Sequence, residues 1–262
     1  MEKFAPKLHA FSVLALIIGL STATAAQADE AYAKTLLKKM SDYMSAQKNI
    51  SFNYDTILEV VTKDKQRLAL AGSGTLALTR PDKLRSTRAS GFADLEMVFD
   101  GKTLTLLGKG KNIYTQVEVP GTLDDLFDTL RDKYNRPLPG ADLLMSNPQD
   151  QLMAGVTDIK DLGSGVIGGT ECDHLAFRKK EVDWQIWIAQ GDKPYPCRYS
   201  ITSKTIAGSP QYSIQLSDFK SGDAAPADDF AFNNSTNAQK IDLKDLPNAE
   251  DLPGNFVRGK TK

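Results

Sequence analysis

The stretch ADLEMVFDGKTLTLL, residues 93–107, decides the fold class. Ala93, Leu95, Met97 and Phe99 place apolar side chains on one face, while Asp94 and Glu96 place charge on the other. A period of two with one buried and one wet face is the habit of antiparallel strands. Asp100-Gly101 supplies the tight reversal that joins this strand to the next, residues 103–107.

The same period extends outward in both directions. Phe52, Tyr54, Thr56, Leu58 and Val60 alternate with more polar neighbours. Residues 68–79 (LALAGSGTLALT) read as a strand with a bulge or sharp bend at Gly72 and Gly74. Residues 84–89 and 112–119 complete this first set. A second set, predicted as a meander, comprises residues 170–178, 183–188, 198–204 and 211–219, with a further short strand at 230–232. Between the sets the period changes. Thr122 caps a helix running to Tyr134, with Asp124 and Asp125 in its first turn, where the helix dipole favours negative charge. Short helices follow at 141–145 and 148–154. Ahead of all strands, residues 31–47 (AYAKTLLKKMSDYMSAQ) carry Leu36, Leu37, Met40, Tyr43 and Met44 at helical spacing. The pattern predicts an α+β, mainly antiparallel protein, its strongly curved sheet wrapped around an N-terminal helix and a central helical insertion.

The chain opens with Lys3 and Lys7, a ten-residue uncharged run at 11–20 (FSVLALIIGL), and the small-residue site Ala26-Gln27-Ala28. That order predicts an export signal, residues 1–28, cleaved after Ala28. The run is too short to cross a hydrocarbon core, which takes about 20 residues. No other apolar run is long enough to span a membrane, and no cysteine near the cut offers a lipid anchor. The expected product is periplasmic and soluble: one domain over 29–244 and a flexible tail over 245–262. A formal net charge of −1 with mixed signs gives no footprint for nucleic acid.

Residues 76–85 (LALTRPDKLR) and 99–104 (FDGKTL) resemble the strand pattern of the bacterial lipoprotein carriers LolA and LolB. Residues 168–178 (GGTECDHLAFR) and 183–188 (DWQIWI) are more similar to an uncharacterised family of predicted exported proteins in the same superfamily. This resemblance implies an incomplete β-barrel whose mouth is closed by helices, and binding of an apolar ligand without chemistry. The carriers' acyl-chain residues have no residue-by-residue match here. The superfamily also includes an envelope sensor, which implies a possible partner protein.

Few residues suggest catalysis. After signal removal the one histidine, His174, adjoins Asp173 and Cys172 in a strand, where neighbours point to opposite faces; hydrogen bonding within the sheet is the simpler role. One histidine and two cysteines lack the spacing of a zinc site, and no pattern requires a cofactor. Asp158, Asp161 and Asp183 form a carboxylate pair only if folding joins them. The glycines of 163–169 (GSGVIGG) lack the Lys-Ser/Thr of a phosphate loop. Trp184 falls on the same face as Ile186 and Ile188, and Trp187 on the other.

Cys172 and Cys197 leave a disulfide open. Export favours one. A simple meander separates the two by two strand spacings, about 9.5 Å, and places them on opposite faces. A bridge needs Cα atoms closer than about 7 Å.

The leading expectation is a carrier for a lipid or acyl chain. Its candidate lining residues are Leu58, Leu95, Met97, Phe99, Tyr199, Ile201, Tyr212 and Ile214 on strands, with Leu126, Phe127, Leu130, Leu143 and Leu144 as the helical cover. The pattern leaves open whether these side chains surround a hollow or fill it. The alternatives are a sensor or scaffold that binds an envelope protein and, further off, a hydrolase.

Overall fold

The computed structural model describes residues 22–245, with side chains from residue 29. Residues 1–21 of the expected signal segment and 246–262 of the expected tail lie outside the described residues. Within them, twelve strands form one sheet: β1 (Asn49–Val61), β2 (Arg67–Thr79), β3 (Lys83–Ser90), β4 (Asp94–Phe99), β5 (Thr103–Gly108), β6 (Ile113–Glu118), β7 (Asp158–Ile167), β8 (Thr170–Arg178), β9 (Val182–Ala189), β10 (Pro196–Ser203), β11 (Gln211–Ser221) and β12 (Gln239–Lys240). Their order across the sheet is β12-β6-β5-β4-β3-β2-β1-β11-β10-β9-β8-β7. Every pairing is antiparallel except the short β12–β6 contact. The sheet is curved and open, not a closed barrel.

Two meanders, β1–β6 and β7–β11, join where β1 pairs with β11. This topology has a consequence for the insertion. β6 and β7 lie toward opposite edges, so the chain between them must cross the whole face of the sheet. It does so as α2 (Leu123–Asp128), a π-helical turn (Thr129–Lys133), a 3-10 turn (Ala141–Leu144) and α3 (Pro148–Met153). Thr122 and Asp125 make a reciprocal capping box at the start of α2. Asp124 accepts from the Ser146 backbone N–H at 2.9 Å and from its hydroxyl, tying α2 to the 3-10 turn.

The opening helix α1 (Thr22–Ala46) lies on the same face, against β7, β9, α3 and the 3-10 turn. Of its predicted stripe, Leu36, Leu37, Met40 and Met44 are buried and Tyr43 is half-buried. The strand expected at 230–232 is absent. Phe230 instead has a positive φ of 51°, and Arg85 holds the segment through Asp228 (2.9 Å) and the Ala231 carbonyl (2.9 Å). Pairing continues later, at Gln239 and Lys240. Nor does β2 bulge at its glycines: its register with β1 and β3 runs unbroken through Gly72 and Gly74. No helix among the described residues is long and apolar enough to cross a membrane.

Candidate functional site

Between the β1–β5 half of the sheet, with β11, and the segment 135–144 lies a cavity of about 900 Å³. Strand alternation builds its walls. β1 contributes Phe52, Tyr54, Thr56 and Leu58; β4 contributes Leu95 and Met97; β11 contributes Tyr212, Ile214 and Leu216. Phe127 and Leu130 of the crossover, Leu143 and Leu144 of the 3-10 turn, and Met44 of α1 close one end. The closed end is deeply buried: Met44, Phe52, Leu84, Phe127 and Leu130 are all in the core. Leu58, Arg88, Leu95 and Tyr212, at the other end of their strands, remain half-buried.

Nine of the thirteen expected lining residues therefore face the cavity: Leu58, Leu95, Met97, Phe127, Leu130, Leu143, Leu144, Tyr212 and Ile214. Four do not. Phe99 and Leu126 are wholly enclosed by the core. Tyr199 and Ile201 lie on β10, among the side chains that fill the other half of the sheet. There Trp184 stacks on Phe177 with centroids 3.8 Å apart and meets Tyr199 edge-on at 5.8 Å. No space remains for a ligand between these rings.

Sequence reading missed the polar part of the wall. Tyr54 pairs with Gly74, and its hydroxyl donates to the Thr87 carbonyl at 2.6 Å. A Cβ at position 74 would stand 2.7 Å from the Tyr54 ring and 1.9 Å from that carbonyl oxygen. Gly74 is thus required for close approach, so that Tyr54 can lie across β2. Ser86 and Arg88 follow Leu84 at period two and share its inward face. A charge on an inward face was the available signal. Burial pushes the Tyr54 and Tyr212 hydroxyls above the usual phenol range, so both stay protonated.

His174, Asp158 and Asp183, considered for chemistry, lie on the outer face of the sheet. His174 hydrogen-bonds Gln185 at 2.9 Å and stacks on Trp187, whose other neighbour is the Arg198 guanidinium. Asp158 pairs with Lys160, and Asp183 with Arg178 and Lys204, while Asp161 accepts from the Gly163 N–H. Each carboxylate is occupied separately. Among the described residues no group of three or more His, Cys, Asp or Glu could hold a metal ion.

Both cysteines are free thiols, buried together around Ala189. The meander places one strand between them, as expected, but the faces do not alternate. The register between β10 and β9 shifts between Pro196 and Arg198, and that irregularity puts Cys197 in the cluster that holds Cys172. Burial raises both thiol pKa values.

With this geometry in place, comparison with known proteins is informative about kinship. No curated protein matches the chain. Among solved structures it is similar to the Mycobacterium tuberculosis lipoprotein LppX, at 13% identity over 76% of this chain and 98% of that one, TM-score 0.39. It is also similar to MucB in the Pseudomonas aeruginosa MucA/MucB complex, at 15% identity over 80% and 63%, TM-score 0.45. For LprF from Mycobacterium bovis the values are 12%, 76%, 95% and 0.43. The kinship expected from residues 168–188 is the one found. The model of the predicted periplasmic protein family DUF2092 matches residues 33–244, and the chain belongs to that family.

Proposed function

We propose that the protein binds an apolar or amphiphilic ligand, of the size of a lipid acyl chain, in the periplasm and performs no chemistry on it. One observation carries this reading: the cavity of about 900 Å³ with its largely aliphatic and aromatic lining. That volume falls at the upper end of the roughly 300–1,000 Å³ usual for small-molecule sites. Each methylene moved from water into such a wall contributes about 0.8 kcal/mol, so a chain can be held without specific polar contacts.

A second reading, a surface for another envelope protein, has one observation in its favour. Among the described residues β7 pairs only with β8, and Leu162 and Val166 on it are exposed. Against it, β7 carries a register shift between Asp161 and Ser164 and a glycine at φ +80°, features that blunt an edge against strand addition. The cavity remains the better-supported site.

Native mass spectrometry of protein purified from its own periplasm tests the reading, together with uptake of a fluorescent fatty acid. A bound lipid of defined mass is expected, as is uptake that Phe127→Asp abolishes while the fold survives. Protein that is free of lipid and takes up none would contradict the proposal.

A further inference from the structure

The two ends of the cavity differ in chemistry as well as in burial. Leu84 and Arg88 stand on the same inward face of β3, four residues and so about 13 Å apart along the strand. Leu84 belongs to one buried core with Phe52, Phe127 and Leu130. The helix that carries Phe127 starts beside this end of β3, where the Leu123 N–H donates to the Pro81 carbonyl at 2.9 Å. Around Arg88 the register brings Gly74 and Tyr54 on one side and Leu95 on the other. β2 presents only Gly72 and Gly74 here, so no side chain of that strand fills the space between Arg88 and the wall formed by β1 and β11.

Arg85 and Arg88 lie on the same strand, yet their environments are opposite. Arg85, on the outer face, is fully occupied by Glu96 (2.6 Å), Asp228 (2.9 Å) and the Ala231 carbonyl. Arg88 makes no hydrogen bond and no ion pair among the described residues; it acts on Tyr54 and Tyr212 only through its field. The Tyr212 hydroxyl likewise has no hydrogen-bond partner among them. Glu96 is the single carboxylate of the lining, and Arg85 and Lys109 (3.3 Å) already hold it. Arg136 adds a second positive charge to the wall. A largely apolar hollow thus carries, at Arg88, a positive charge that the one carboxylate of the lining does not compensate.

We infer that the ligand is a long-chain amphiphile with an anionic head, a carboxylate or a phosphate, received by Arg88 and the Tyr212 hydroxyl with its chain directed toward Phe127. This inference rests on the reading that the cavity takes an apolar ligand. A guanidinium is suited to both heads, since its fork of donors matches two oxygens at once.

Competition against Nile red, a neutral apolar dye, tests the two readings separately. Wild-type protein is first titrated with the dye, and the bound dye is then displaced by decanoate, decyl phosphate, 1-decanol, acetate or inorganic phosphate. A purely apolar hollow favours the alcohol, whose head costs less to desolvate. We expect the opposite order, with decanoate or decyl phosphate ahead of decanol by about tenfold or more, the worth of a hydrogen bond to a charged group. Arg88→Gln should abolish that preference while dye and decanol binding persist. Decanol ahead of both anions in wild-type protein overturns the inference and leaves the cavity reading standing. Acetate or phosphate competing as well as the long-chain anions overturns it too, in favour of a small-anion site. No dye binding, and no effect of any amphiphile, defeats the cavity reading itself. The wild-type series decides even where the variant fails to fold.

Discussion

One sheet supports two different interiors. Over β7–β10 the inward side chains are large: Trp184, Phe177, Tyr199, Ile186 and Ile188, with α1 laid directly on them. Over β1–β5 large residues such as Phe52 and Tyr54 are interspersed with small ones, Gly72, Gly74, Thr56 and Ser86, and the covering segment 135–144 leaves about 900 Å³ unfilled. The backbone is the same curved antiparallel ladder in both halves. Side-chain volume at alternate positions, and what lies above, decides which half is solid. One half is therefore filled by its own side chains, while the other leaves space beside a shared core.

The largest expected effect separates the halves by stability. Trp184→Ala removes a ring that is 2% exposed and stacked on Phe177, and should cost about 3–5 kcal/mol. Met97→Ala, facing the hollow, should cost about 1 kcal/mol, because atoms bordering empty space have fewer contacts to lose. Urea unfolding of both variants measures the pair. Equal costs would mean that the hollow half is packed after all.

Next in size is Gly74→Ala. The new methyl would meet the Thr87 carbonyl and the Tyr54 ring, so roughly 1–3 kcal/mol of destabilisation is expected. Tyr54→Phe/Gly74→Ala should not relieve this, because the backbone oxygen is the nearer obstacle. A neutral Gly74→Ala would show that the Thr87 carbonyl and the Tyr54 ring do not approach β2 as closely as described.

The smallest effect lies at the seam between the halves. Asp142 precedes the buried Leu143 and Leu144 and accepts a long hydrogen bond, 3.4 Å, from the Tyr199 hydroxyl. Burial holds its carboxyl pKa above the usual value, with the Leu143 N–H, Lys179 and Tyr199 opposing. A raised folded-state pKa contributes stability that is fully present below the unfolded value, about 4, and is lost as pH rises through the folded value. Asp142→Asn keeps the neutral form, so its stability relative to wild type should grow from pH 4 to pH 7. Melting curves at both pH values check this, and a gap that shrinks on raising pH contradicts it.

Much of this division was readable beforehand and part was not. Period-two runs such as Ala93 to Phe99 specified antiparallel strands and their faces, and the stripe of α1 specified a helix laid on them. The same alternation correctly separated Trp184 from Trp187. What alternation does not encode is which inward residues share a space. Phe99 and Met97 lie on one face of one strand, yet only Met97 meets the hollow, because the crossover covers the end of β4 where Phe99 sits. The irregularity at Cys197 was equally silent, since a register shift depends on the partner strand. Arg88 was legible in principle: counting by two from Leu84 puts a charge indoors.

The account depends on a ligand entering one half and not the other, and the methionines report on both. Met44 and Met97 line the hollow; Met40 is buried without touching it. In a methyl spectrum of methionine-labelled protein titrated with decanoate, the Met44 and Met97 signals should shift and saturate together while Met40 stays in place. Saturable shifts at Met40 with Met97 unmoved, or no saturable shift at any of them, would contradict the account.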